Sequence, residues 1–248
     1  MKNIIIVLIF ILILICFKNN KENFSNESND KIKTLTSVEK KNLRKGQLIM
    51  TDMLKELDKI CRDNGLKYWC IAGTLIGTMR HKGWIPHDAD IDIGMLEKDY
   101  KKLKSIIQDK LSDKYWFQDK STDSNYKSDI GKIRYLDAYY SDDDSKLWHN
   151  GIQLDIFIFK EKNDLLDPIN KINDIKTINR NKIFPLKELP FEDLTVYVPN
   201  QYKQYSKDAW GDFPPPVLPK SKQYPHEGRI TFGIPQCVKD KYPYLYKK

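Results

Sequence analysis

The chain has 248 residues, 40% of them hydrophobic and 12% aromatic, which supports a buried core and excludes global disorder. Its formal net charge is +8, and no segment recurs at a period of about 20 to 50 residues, which excludes a solenoid. Residues 1–30 hold three Lys against three Asp or Glu, so the excess lies beyond them; from Gln201 onward nine Lys or Arg face four Asp or Glu. A basic surface favours anionic partners such as phosphorylated small molecules, anionic glycans or a lipid headgroup layer, or else serves solubility alone. No recognition helix or zinc-finger spacing is present, so no nucleic-acid partner is expected.

Behind Lys2, Ile4 to Phe17 form an unbroken apolar run of 14 residues. At about 1.5 Å per residue a helix of that length falls short of a typical ~30 Å hydrocarbon core. The length suits a signal-peptide core, but no small-x-small cleavage site follows, and Ile15 before Cys16 is too bulky for lipoprotein processing. Residues 1–17 are read as an uncleaved hydrophobic anchor helix, with a cleaved signal peptide as the alternative. Lys2 before the run and Lys18 and Lys21 after it leave the orientation unset. Residues 18–33, rich in Asn, Lys, Ser and Glu, read as a flexible tether, and 34–248 as the folded domain. The expected location is a single-pass membrane protein with its domain lumenal or extracytoplasmic, or a secreted one if the run is cleaved. Cys16, Cys61, Cys70 and Cys237 form no CxxC pair; buried thiols are expected, with a Cys61–Cys70 or Cys70–Cys237 bridge left open.

Thr36 and Glu39 have the spacing of a capping box, and Ile49, Met53, Leu57 and Ile60 then mark one helix face, stopped at Asn64-Gly65. "LKYWCIA" reads as a strand, "TLIGTMRHK" as a short helix started by Thr74 and ended by Gly83, and "ADIDIGM" as an alternating strand. Residues 97–112 look helical, Tyr115–Gln118, Ile130–Leu136 and Ile152–Phe159 strand-like, and 163–184 helical. "GDFPPPVLP" excludes long regular elements from the last third. Helices and strands mix without regular alternation, which predicts an α+β fold or a mixed sheet.

Asp88, Asp90 and Asp92 stand at every second position, so a strand places them on one face while Ile91 and Ile93 anchor the other. Three such carboxylates repel one another unless a cation neutralises them, and a divalent metal with oxygen ligands does so. The alternatives are a solvated acidic turn and an EF-hand; the latter lacks its turn glycine, since Ile93 holds the sixth position, and has Asp99 in place of the bidentate Glu. Asp155, inside the apolar "GIQLDIFIF", is costly without a partner. It either lies on a neighbouring strand and completes the metal site, or pairs with a Lys or Arg. Gly73-Thr74, at a strand-to-helix junction, offers backbone N–H groups and a hydroxyl suited to phosphate. Arg80, His81 and Lys82 follow, either to face the acidic strand or as an exposed helix end. Basic and acidic clusters so close together suit transfer from a nucleotide diphosphate.

The blocks "AGTLIGTMRHKGWIPHDADIDIGM", "GIQLDIFIF" and "FPLKELPFEDLTVYVPNQYKQYSKDAWGDF", spanning residues 72 to 213 with "GKIRY" between the first two, resemble the LicD family, which includes fukutin and fukutin-related protein within the nucleotidyltransferase-fold superfamily. The resemblance implies a nucleotidyltransferase-like α+β fold, a mixed sheet flanked by helices. It implies Mg²⁺- or Mn²⁺-dependent transfer of a phospho-alcohol, such as phosphocholine or ribitol phosphate, from a CDP-linked donor to a glycan or glycoconjugate hydroxyl. By motif match Asp90, Asp92 and Asp155 are metal ligands and Asp88 a further acidic participant. Gly73, Thr74, Arg80 and Lys82 fall to the donor phosphates, as do Lys132 and Arg134 of the intervening strand. Members often carry Trp-Asp where this chain has His87-Asp88, and Asp-Asp-Asp where it has Asp88-Ala89-Asp90. The other readings are a nucleotidyltransferase moving NMP itself, with pyrophosphate leaving, and a non-catalytic glycan- or anion-binding protein.

Overall fold

The computed structural model describes residues 34–142, 149–169, 176–210 and 224–246, within one folded unit that starts at Thr34. The apolar run, the tether, Cys16 and the "GDFPPPVLP" segment lie outside the described residues. Among those described, no helix is long and apolar enough to cross a membrane.

Helix α1 (Ser37–Asp63) opens with the expected capping box: the Thr36 hydroxyl accepts from Glu39 N at 3.3 Å, and Glu39 accepts from Thr36 N at 2.7 Å. Met50, Met53, Leu54 and Leu57 recur at helical spacing and are fully buried. Gly65, at φ 66, takes the left-handed position that ends such helices.

Behind α1 lies an eight-stranded mixed sheet. Its central order is β1 (Tyr68–Cys70), β2 (Ile91–Leu96), β5 (Gly151–Lys162), β4 (Gly131–Tyr140) and β10 (Ile230–Phe232). β3 (Tyr115–Gln118) also pairs with β4, while β6 (Leu165–Pro168) and β7 (Ile178–Asn179) extend the far end of β5. β2 and β5 run parallel, and every other pair is antiparallel.

The register decides where chemistry sits. Ile91, Leu154, Ile133 and Phe117 stand abreast on four adjacent strands, and all are buried. One residue along, Asp92, Asp155, Lys132 and Gln118 stand abreast in the same way. Since alternate residues point to opposite faces, one face is apolar and the other carries a polar row. Further along that second face Gly94 opposes Trp69, and a Cβ built on Gly94 would lie 2.6 Å from the indole.

Helix α2 (Ala72–His81) packs on β2, and α3 (Glu97–Lys104) with α4 (Ile107–Lys110) leads to β3. The expected helix over 97–112 is thus two short ones. α2 starts two residues before Thr74, with Ile71 in the cap position and no side-chain cap; its start is fixed by Ile71 N donating to Asp92 O at 3.1 Å.

Among the described residues of 163–184 the expected helix is not formed. Asn163 (φ 49) and Asp164 (φ 61) are both left-handed, the requirement of a tight hairpin turn, and β5 folds back into β6. After β7 comes only one helical turn, α5 (Arg180–Ile183).

A hairpin not foreseen in the sequence, β8 (Lys187–Phe191) and β9 (Leu194–Val198), turns at Glu192-Asp193 and clasps α1 through Arg44–Glu192 and Lys55–Asp193, both 2.7 Å. Then follow α6 (Tyr202–Trp210), β10, α7 (Gln236–Lys241) and α8 (Pro243–Tyr246). Cys61, Cys70 and Cys237 are free thiols; the first two are buried as expected, but Cys237 is exposed on α7. Burial pushes the Cys61 thiol up to about 12, an inert thiol.

Gly94→Ala would force a methyl group into the Trp69 ring. It is expected to destabilise the fold by ~1–3 kcal/mol, seen as a lower urea midpoint at unchanged m-value.

Candidate active site

The loop between α2 and β2 delivers two of the aspartates and is held from both sides. The Trp84 indole N donates to the Thr51 hydroxyl of α1 at 2.9 Å and its ring packs on Phe191. The Gln47 amide, also on α1, donates to the Asp88 carbonyl at 2.9 Å and the Ile85 carbonyl at 3.3 Å. The Tyr140 hydroxyl of β4 donates to the carbonyl of fully buried Ala89 at 2.7 Å. With both backbone oxygens engaged, the Asp88 and Asp90 side chains are left to face the polar row. Ala89 itself belongs to the buried hydrophobic core.

Asp90, Asp92 and Asp155 are all buried, and one oxygen from each lies within 4.8 Å of the others. The cluster follows from the parallel register, which sets Asp92 directly beside Asp155, with Asp90 entering just before β2. Asp155 also meets a cation: the Lys132 ammonium donates to both its oxygens at 2.6 Å. The two readings of Asp155 therefore both hold, since it completes the acidic cluster and pairs with a lysine. Gln153 donates a further hydrogen bond to Asp155 at 3.3 Å.

Electrostatically the cluster is under-compensated. Burial first, then the charges of Asp92, Glu227, Asp88 and Asp155, push the Asp90 carboxyl well above its ordinary range. Asp92 is raised likewise, by burial and then by Asp155, with Lys132 opposing. Asp88 is pushed up to about 7, chiefly by burial and then by Glu227. A buried, oxygen-only set of three carboxylates with a single lysine against them fits a hard divalent cation.

The remaining expected residues are dispersed. Gly73 matters for space: a Cβ there would lie 2.5 Å from an Asp88 oxygen, so glycine lets that carboxylate reach the start of α2. The Thr74 hydroxyl accepts from Asp92 N at 2.8 Å, locking α2 to the strand it serves. Arg80 donates to His81 at 3.0 Å, and Arg80, His81 and His226 all act, after burial, to push the His87 imidazole below its usual range. These four groups form a rim in which Arg80 and His226 carry the positive charge, while burial and Arg80 push His81 and His87 toward the neutral imidazole. Lys82 is exposed, and its carbonyl accepts from Glu192 N at 2.7 Å. Arg134 is buried and donates to Gln118 at 2.8 Å and to the Gly151 carbonyl at 2.6 Å, so it braces the polar row from beneath. Lys132 and Arg134, both expected at the donor phosphates, are engaged here with Asp155 and with Gln118, Gly151 and Gln153.

Glu227 and His226 reach this region from the C-terminal part of the chain and were not legible in the sequence, where "YPHEGRI" has no motif spacing to the aspartates. Gln47 and Tyr140 were equally hidden, because each acts through a backbone carbonyl of the loop.

Residues 65–201, more than half of the chain, match the family model described as LicD/FKTN/FKRP, nucleotidyltransferase domain. The chain belongs to the LicD family. An uncharacterized protein of Rickettsia typhi is 27% identical over 188 residues, covering 71% of this chain and 53% of that one. The lipopolysaccharide cholinephosphotransferase LicD of Haemophilus influenzae is 30% identical over 132 residues, 49% of this chain and 46% of its own length. Human ribitol 5-phosphate transferase FKRP is 23% identical over 172 residues, 67% of this chain and 31% of its own. The chain thus spans about half the length, or less, of the curated relatives it matches. The family match encloses Asp88, Asp90, Asp92, Lys132 and Asp155, whereas His226 and Glu227 lie beyond it.

Carboxyls whose pKa is raised by folding favour the neutral form, so their contribution is full below about pH 4 and is lost as pH rises through the folded value. Metal-free protein is expected to lose thermal stability between about pH 4 and 8, with Asp88 titrating near 7. Asp92→Asn should flatten that fall and raise the metal-free Tm at pH 8, read by differential scanning fluorimetry in chelator.

Proposed function

We propose that this chain transfers a phospho-alcohol from a CDP-linked donor to a hydroxyl of a glycan or glycoconjugate. Relatives named as cholinephosphotransferase and ribitol 5-phosphate transferase support the reaction class. The observation that carries the reading is the cluster of Asp90, Asp92 and Asp155, built by the β2–β5 register beside a rim that includes Arg80.

Asp90, Asp92 and Asp155 would hold Mg²⁺ or Mn²⁺, which supplies charge neutralisation for the donor pyrophosphate. The acceptor hydroxyl oxygen attacks the phosphorus that bears the alcohol as its proton passes to a site carboxylate, Asp88 or Asp155; the bond to the bridging oxygen breaks, and CMP leaves. A loose phosphoryl-transfer transition state asks mainly for positioning and charge, which the rigid carboxylate row and the rim supply. Arg80 and neutral His87 border the leaving side, where Arg80 offsets the growing charge on CMP. Lys132 keeps Asp155 aimed into the row and lowers its repulsion with Asp92. The apolar run Ile4–Phe17 would tether the domain at a membrane, close to a glycan-bearing acceptor.

With CDP-choline, CDP-ribitol and CDP-glycerol as donors, turnover is expected to release CMP only in the presence of a divalent cation. Asp90→Asn should lower the rate by ~10³-fold or more, and Arg80→Ala by about 10- to 100-fold. Release of pyrophosphate from a nucleoside triphosphate instead would establish nucleotidyl transfer, and undiminished turnover by Asp90→Asn would remove the site.

A further inference from the structure

We propose that Asp88, His226 and Glu227 form a second divalent-cation site, separate from the Asp90–Asp92–Asp155 cluster. One ligand atom from each of the three residues lies within 4.8 Å of the other two. The observation that singles this place out is Glu227. Its side chain is only 6% exposed, and its Oε2 is buried with no hydrogen-bond partner among the described residues. A buried carboxylate oxygen without a donor is costly, and a bound cation removes that cost. The other oxygen of Glu227 meets the His226 ring, and the Asp88 carboxylate completes the group from across the site.

Charge counting points the same way. Asp88, Asp155 and Glu227 all act on Asp90 and Asp92, five carboxylates against two cations, the Lys132 ammonium and the His226 imidazolium paired with Glu227. A single divalent ion at the first cluster leaves carboxylates over, and an incoming pyrophosphate adds more negative charge. Glu227 and Asp88 are well held, while the His226 ring is exposed at the mouth of the site. Next to Glu227, Gly228 at φ 97 packs on Asp142, Arg229 donates to Asp142 at 2.7 Å and to Glu39 at 3.1 Å, and Ile230 enters β10 beside β4. On the other side, Gln47 fixes the Asp88 backbone and Gly73 leaves room for its carboxylate.

The imidazole sets the chemistry apart. An all-carboxylate set suits Mg²⁺ or Mn²⁺, whereas one nitrogen with two carboxylates prefers Mn²⁺ or Zn²⁺ over Mg²⁺. Asp88 thereby gains a role of its own: it ties the segment carrying residues 224–229 to the catalytic floor through a cation. The site deepens the metal reading above but does not depend on the reaction catalysed.

The test is Mn²⁺ titration calorimetry on the full chain, kept in mild detergent and stripped with chelator. Wild type is expected to bind two Mn²⁺ per chain. Glu227→Gln and His226→Gln should each bind one, with metal-free melting temperatures close to wild type. Asp92→Asn should also bind one, losing the other ion. Zn²⁺ should displace one of the two Mn²⁺ ions from wild type at low concentration and the single ion of His226→Gln less readily. Retention of two ions by Glu227→Gln, or a single wild-type ion that Glu227→Gln keeps, overturns the second site. Retention of two ions by Asp92→Asn, with one lost in Glu227→Gln, supports the second site and counts against the metal reading of the first.

Discussion

Two carboxylates, Asp92 and Asp155, occupy the same register position on adjacent parallel strands inside a sheet. Like charges ~4 to 5 Å apart at the effective dielectric of a protein repel by several kcal/mol, on the order of a large share of a domain's net stability. The fold accepts this because each strand is fixed by residues on either side of its aspartate. Ile91 and Ile93 flank Asp92, Leu154 and Ile156 flank Asp155, and all four are fully buried in the core. A one-residue slip would exchange the apolar and polar faces, so the core enforces the repulsive pairing.

What surrounds the pair either compensates its charge or fixes its position. Lys132 stands next to Asp155 in the following strand and gives it two hydrogen bonds, and Arg134 braces Gln118 in the same row. Helix α1 reaches the site through Gln47 and Thr51, both buried, whose contacts fix the loop that carries Asp88 and Asp90. The β8–β9 hairpin in turn clamps α1 by Arg44–Glu192 and, through Glu192, the end of α2. Elements far apart in sequence therefore converge on a few backbone carbonyls, and the carboxylates stay free for chemistry.

Local rules recovered the parts of this arrangement that local physics decides. Alternation identified β2 and β5 and put Asp90, Asp92 and Asp155 together, because strand period and burial of Ile and Leu leave little choice of face. The capping box at Thr36 and the stop at Gly65 were legible for the same reason. Failures arose where a tertiary contact or a turn outweighed composition. The Asn163-Asp164 turn converted an apolar stretch into a hairpin, and Thr74 proved to serve Asp92 rather than a helix cap. Lys132 shared a face with the acidic row, but its partner depended on the β4–β5 register, which no local pattern encodes. His226 and Glu227 were beyond reach of motif reading because β10 brings them in by pairing with β4.

The function proposed for this chain depends on a cation held between β2 and β5. The most direct measurement is an anomalous difference map from crystals of the chain grown with Mn²⁺ and a CDP-linked donor analogue. The expected result is a peak bonded to oxygens of Asp90, Asp92 and Asp155, with Lys132 moved off at least one Asp155 oxygen toward the donor phosphates. No peak among these carboxylates, with Lys132 still bonded to both Asp155 oxygens, would contradict it.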